Sequence, residues 1–220
     1  MTSPATDGPP ASSNAFARVR DDRVCWLLET HPVTAAMLVG SGWFPSKNKA
    51  LKRLRRLVAR RKVRLVGTVC RKAGRPEHVY CRWRVKPDQL LHEVLLTELC
   101  FRLDAGHILR GPHATNPRYR PDAELAINGR TYYLELDRGT MSYAQIAGRF
   151  RKYEGCEHFV LWVCSSEERA EGMRRRAQAI RATALFTTFV EASASPHGDV
   201  WRDYQGSRAA LPREGINPGQ

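Results

Sequence analysis

The amino-acid sequence predicts an α+β protein in two parts: three helices closed by a basic β-hairpin, then a mixed sheet flanked by helices. Two observations carry this expectation. The first is where the charge lies. The chain has 220 residues and a formal net charge of +14. Residues 47–86 hold sixteen of the 36 Lys and Arg but one of the 22 Asp and Glu, a net +15, which leaves the other 180 residues at −1. The second is Asn128-Gly129 inside RPDAELAINGRTYYLELDRG, a strong two-residue hairpin signal between alternating strands.

Composition bounds the rest. With 42% hydrophobic and 26% charged residues, the chain is ordinary for a globular protein. No apolar run reaches the roughly 18 residues that a membrane span needs. The opening MTSPATDGPPASSN has neither a basic start nor an apolar stretch, so it does not read as a secretory signal. Residues 1–18 read as a disordered leader. The six cysteines, at 25, 70, 81, 100, 156 and 164, form no CxxC pair and no zinc-spaced cluster. They are expected to be reduced structural thiols in a cytoplasmic protein. A segment as one-sided as 47–86 repels itself unless a polyanion is its partner. Nucleic acid is the commonest such partner, with an anionic membrane as the competitor.

Residues 19–86 supply the first part. Val24, Leu27 and Leu28 recur at helical spacing between Asp21 and Glu29, and His31-Pro32 interrupts them. A short helix is expected over Val33–Val39, ended by Gly40-Ser41-Gly42. Ser46 offers an N-cap for a third helix over Lys47–Arg61, with Leu51, Leu54, Leu57 and Val58 on one face. VRLVGTVC and EHVYCRWR then read as a hairpin whose tip is basic. That order is the order of a winged helix-turn-helix, whose third helix enters the major groove of duplex DNA while the wing reaches phosphates. The candidate DNA-binding residues are Lys47, Lys49, Lys52, Arg53, Arg56 and Arg60 on the helix and Arg71, Lys72 and Arg75 at the tip. A membrane-surface helix fits less well, because the apolar stripe is narrow and has no aromatic residue.

Pro87 opens the second part, over residues 87–190, with 191–220 read as a Ser/Pro/Gly-rich tail in which Trp201 and Tyr204 could dock back. A helix over Gln89–Phe101 is followed by the strand GHILRG and the Asn128-Gly129 hairpin. A helix over Ser142–Tyr153, the strand HFVLWVC, a helix over Arg169–Arg181 and the strand ALFTTFV complete a mixed sheet with helical cover. With Asn128-Gly129 as the turn, Asp122, Glu124, Tyr133, Glu135 and Asp137 share one strand face. Ala123, Leu125, Ile127, Tyr132, Leu134 and Leu136 share the other. Two readings of the carboxylates stay open. They form a site for a divalent cation that activates water for phosphoryl displacement, or an outward strand face neutralised by Arg120, Arg138 and Lys152.

The helix LLHEVLLTEL, the hairpin RPDAEL…YYLELDRGT and the following helix ending in RKY resemble the plasmid replication-relaxation family, over roughly residues 20–190. The resemblance implies a DNA-binding protein of plasmid replication, relaxation or mobilisation, with a relaxase or replication protein as a candidate partner. It also implies a second domain similar to the restriction-endonuclease-like PD-(D/E)xK nuclease fold. On that pattern Asp122 and Glu135 are the Mg²⁺ ligands, with Glu93 or Glu98 a further acid. The pattern places Lys two residues after Glu135, where this chain has Asp137, so Lys152 is the candidate substitute. Three functions follow as expectations: a non-catalytic DNA-binding accessory protein, a Mg²⁺-dependent endonuclease using Asp122, Glu135, Asp137 and Lys152, and a transcriptional repressor.

Overall fold

The computed structural model describes residues 12–70, 74–104, 107–110, 118–180 and 183–213. It is a mixed α+β fold with a small antiparallel sheet and a large mixed one. The first helix, α1 (Ser12–Thr30), begins inside the segment read from sequence as a leader. A two-residue strand β1 (Val33–Thr34) follows, where the sequence predicts the start of a helix. Thr34 ends that strand and caps α2 (Ala35–Gly40), its hydroxyl accepting from the Met37 amide at 3.3 Å. Helix α3 (Lys47–Ala59) is capped as expected by Ser46, which accepts from the Lys49 amide. Strands β2 (Arg64–Val69) and β3 (Glu77–Cys81) form the predicted hairpin, and β1 adds to it in the order β1-β3-β2. Ala50, Leu54 and Leu57 of α3 close a core with Val24 and Leu28 of α1, Leu38 of α2 and Tyr80 of β3.

A 3-10 turn at Pro87–Gln89 leads into α4 (Leu90–Arg102). The large sheet then comprises β4 (His107–Arg110), β5 (Ala123–Ile127), β6 (Arg130–Asp137), β7 (Phe159–Cys164), β8 (Ala184–Thr188), β9 (Trp201–Arg202) and β10 (Arg208–Ala209), in the order β10-β9-β8-β7-β6-β5-β4. Strands β6, β7 and β8 are parallel, and the flanking pairs are antiparallel. Helix α5 (Tyr143–Lys152) connects β6 to β7, and α6 (Glu167–Ile180) connects β7 to β8, the connections that parallel neighbours require. Both lie against one face of the sheet, over Tyr133, Trp162, Cys164 and Phe186. Helix α4, with α7 (Phe189–Ala194), covers the other face over Leu125, Leu134, Leu136 and Leu161. The residues after 190, read from sequence as a tail, therefore complete the sheet. Trp201 is fully buried in its core, its indole N–H donating to the Pro196 carbonyl at 2.9 Å.

The central hairpin has the predicted register. Asn128 and Gly129 both take positive φ, 48° and 72°, as a type I′ turn demands. Ile127 pairs with Arg130, Leu125 with Tyr132 and Ala123 with Leu134. Apolar and carboxylate-bearing residues separate to opposite faces as predicted.

Pro87 marks a change of chain direction, yet packing continues across it. Leu90 and Val94 of α4 are buried with Met37, Val69 and Val79 of the N-terminal unit. Strand β2 bulges between Leu65 and Gly67, and a Cβ at Gly67 would come within 2.6 Å of Leu90 Cδ2. Glycine there lets the helix lie directly on the hairpin. Leu90→Ala is therefore expected to lower stability by about 2–5 kcal/mol, the usual cost of emptying a buried leucine site. Denaturant unfolding measures this, and a loss below about 1 kcal/mol would show that α4 does not brace the hairpin.

Candidate functional site

Two regions carry functional side chains. The first is the outer face of α3. Its buried stripe turns Lys49, Lys52, Arg55 and Arg56 to solvent, and the chain continues through exposed Arg60, Arg61 and Lys62. Lys49, Lys52 and Arg56 rim a shallow hollow of about 220 Å³ floored by Phe44 and Pro45. Lys47 is exposed at the start of the helix but reaches across to Glu77 of β3 at 2.9 Å. Arg53 differs from its expected role. It turns inward and its guanidinium pairs with the buried Asp21 of α1. Arg75 is exposed on the hairpin, while Arg71 and Lys72 lie outside the described residues. The sequence gave no sign that one of the helix cations would be committed to α1.

The second region is the carboxylate face of β5 and β6. The face is as predicted, but its surroundings are not. Helices α5 and α6 cover it, so Glu135 is 1% and Asp137 0% exposed. Charges so placed are tolerated only with specific partners. Asp122 accepts from the Leu136 amide at 2.9 Å and lies 3.4 Å from His92 Nε2 on α4. Glu135 accepts from the Arg149 guanidinium and from the Tyr153 hydroxyl at 2.5 Å. Asp137 accepts from Arg169 at 2.5 and 3.4 Å, and the same guanidinium donates to the Met141 carbonyl at 2.5 Å. Tyr143 stacks beneath both Arg169 and Arg176, 4.6 and 3.6 Å from its ring centre.

The neutralising groups are thus Arg149, Arg169, Tyr153 and His92. The expected Arg120 and Arg138 make none of these bonds. Arg149 and Tyr153 sit four apart on α5 and straddle the apolar pair Ile146 and Phe150, a spacing visible in the sequence once the helix is placed. Arg169 has no comparable signal. Lys152 is close enough for its charge to act on Glu135, but the hydrogen bonds to that carboxylate come from Arg149 and Tyr153. Neither candidate acid on α4 joins the pair. Glu93 binds Arg110, which also donates to the Thr97 hydroxyl at 2.5 Å, and Glu98 lies 3.5 Å from Arg102.

Electrostatics follow from these contacts. Burial pushes Glu135 up to about 8, and the neighbouring Asp122 charge adds to the shift, against the opposing pull of Arg149 and Tyr153. Burial alone would raise Asp122 too, but His92 and the Leu136 amide outweigh it and hold its carboxyl below the usual range. Burial lowers the Lys152 amine, and Arg149 and Arg120 lower it further. Among the described residues, no group of three or more His, Cys, Asp or Glu side chains is arranged to hold a metal ion. Mg²⁺ takes ionised oxygens in octahedral order. Here one carboxyl favours its proton and shares its oxygens between a guanidinium and a hydroxyl, so the donor set does not fit that ion.

The raised Glu135 gives a pH signature. Its ordinary value is 4.5, so between there and about 8 the folded chain keeps a proton that the unfolded chain has released. Stability from this group falls as pH rises through that window. His31, which burial lowers to about 3 from 6.5, acts with the opposite sign below 6.5. Melting temperature should therefore decline from about pH 6.5 to 8, and Glu135→Gln should flatten the decline. An unchanged slope in the variant would mean that Glu135 is ionised in the folded protein.

The sequence profile of the replication-relaxation family matches residues 26–158, from the middle of α1 to the residue before β7. No curated protein and no solved structure gives a significant match. No described helix is long and apolar enough to cross a membrane. Since the match covers more than half of the 220 residues, and takes in both the basic hairpin unit and the carboxylate hairpin, the chain belongs to the replication-relaxation family.

Proposed function

We propose that this protein binds duplex DNA through its N-terminal unit and serves replication or relaxation as a non-catalytic accessory protein. The observation that carries the reading is the exposed row Lys49, Lys52, Arg56 and Arg60 on the side of α3 opposite its buried stripe. The order α1-β1-α2-α3-β2-β3, with a three-stranded sheet, supports reading the unit as a winged helix. Helix α3 then lies in the major groove and the β2–β3 hairpin follows the neighbouring backbone. Arg53 serves the fold by holding α3 to α1 through Asp21. The family's description supports a role in replication and relaxation. Plasmid mobilisation, and a relaxase or replication protein as partner, extend that reading.

A nuclease-like role for the second unit has one observation in its favour. Asp122 and Glu135 do meet, with Asp122 bonded to the amide that follows Glu135. Their engagement by Arg149, Tyr153 and His92 favours a structural role. Supercoiled plasmid incubated with Mg²⁺ or Mn²⁺ should accordingly stay supercoiled. Nicking by the wild type that Asp122→Ala abolishes would instead establish the endonuclease.

Duplex affinity should fall steeply between about 50 and 200 mM salt, through release of condensed counterions. Lys52→Ala with Arg56→Ala should weaken binding and reduce the slope of log affinity against log salt by about 2. Neither residue is buried in the core, so the double variant should keep its melting temperature. Equal slopes in the two proteins would remove α3 from the interface.

A further inference from the structure

The N-terminal unit has a second surface that the duplex reading leaves unused. Trp26 of α1 is 64% exposed and Trp83, just beyond β3, is 38% exposed, whereas Trp162 and Trp201 are fully buried. An indole is the largest apolar group a chain can withdraw from water, so leaving two of them outside one small unit costs stabilisation that burial would provide. The two are brought to one end of the unit by the backbone. The Arg82 amide donates to the Leu28 carbonyl at 2.8 Å, which ties the end of β3 to the last turn of α1. Trp26, Lys62 and Arg82 border a hollow of about 300 Å³, with Glu29 paired to Arg82 across it.

The surrounding charge is cationic. Lys62, Arg64, Arg82 and Arg84 are all exposed at the base of the hairpin. Flat aromatic faces among cations suit a ligand that offers both phosphates and open π-faces. A duplex hides its base faces in the stack, and single-stranded nucleic acid does not. We propose that this surface holds unpaired nucleotides, a base stacking on Trp26 while Lys62 and Arg82 meet the adjoining phosphates. The position suits that task, because α3 ends at Ala59 and runs through Arg60–Lys62 into β2. A strand leaving the duplex at the end of α3 meets Trp26, at the end of the hairpin away from its tip. The inference rests on the N-terminal unit being the nucleic-acid-binding part, and extends it from duplex to a junction of paired and unpaired DNA.

Titrating the full chain with an oligothymidylate of about 15 nucleotides, while following tryptophan fluorescence, tests it. The wild type should be quenched at low salt, and Trp26→Ala should bind the oligonucleotide about tenfold or more weakly. Trp26→Phe should recover part of the loss. Duplex affinity, measured alongside, should be unaffected by Trp26→Ala and reduced by the Lys52→Ala/Arg56→Ala pair. Oligothymidylate binding that ignores Trp26, or no quenching while duplex binding persists, would overturn the single-strand site alone. A Trp26-dependent dimer in sedimentation, with no quenching, would assign the surface to a second copy of the chain and overturn it equally. Absence of binding to either DNA would instead defeat the reading of the N-terminal unit.

Discussion

Helix α4 is apolar around most of its circumference, and each side of it has a different client. Leu90 and Val94 enter the core of the N-terminal unit, while Leu96, Leu99 and Cys100 enter the core of the large sheet. A helix hydrophobic on all sides must be buried on all sides, so neither unit closes without it. The polar groups on α4 are correspondingly committed. Arg110, 3% exposed on β4, is held by Glu93 and the Thr97 hydroxyl, and His92 reaches Asp122. His31, at the end of the N-terminal unit, stacks against Phe101 of the same helix at 5.9 Å. The basic unit and the carboxylate hairpin are thus joined through one rigid element, which fixes where DNA held on α3 stands relative to the sheet.

The sheet itself depends on a second constraint. Burying both faces of β6 places Glu135 and Asp137 where water cannot solvate them. Each must be met by a cation from the helix above it, Arg149 from α5 and Arg169 from α6. Removing one partner of such a pair typically costs about 3–5 kcal/mol, because the other charge is stranded. These bonds therefore set the rotation of α5 and α6 about their axes, and they occupy the carboxylates that a metal-dependent nuclease would use. The Asp137 position illustrates the change of purpose. A lysine there would face Arg169 and repel it, whereas aspartate binds it in two bonds.

Local chemistry was readable in advance where one short stretch decides the outcome. Ser46 before an apolar-periodic run gave the start of α3, and Asn128-Gly129 gave a register from which the two faces of the hairpin followed. Features that depend on distant partners were not readable. An alternating strand reads the same whether its polar side meets solvent or a helix, so burial of the carboxylates had to come from the structure. Arg149 and Arg169 are two among many arginines, and only placement of their helices distinguishes them. Strand β1 has two residues, too few to show a period, and it exists because β3 pairs with it. The last strands, β9 and β10, are equally short and stand in Ser/Pro/Gly-rich sequence, so Trp201 was their only visible anchor.

Charge and packing finally divide the molecule in the same way. The segment 47–86 carries +15, yet the unit that contains it buries a complete apolar core and spends few ion pairs inside itself, chiefly Arg53 with Asp21, Lys47 with Glu77 and Arg82 with Glu29. In the sheet unit the order is reversed: its net charge is near zero, and the buried carboxylates each hold their own cation. Cations paired inside a fold cannot be offered to a polyanion, and cations left unpaired on an exposed helix cost self-repulsion that only a bound polyanion relieves. The excess on α3 and at the base of the hairpin is therefore best explained by a ligand, and the balanced interior of the sheet by structure alone.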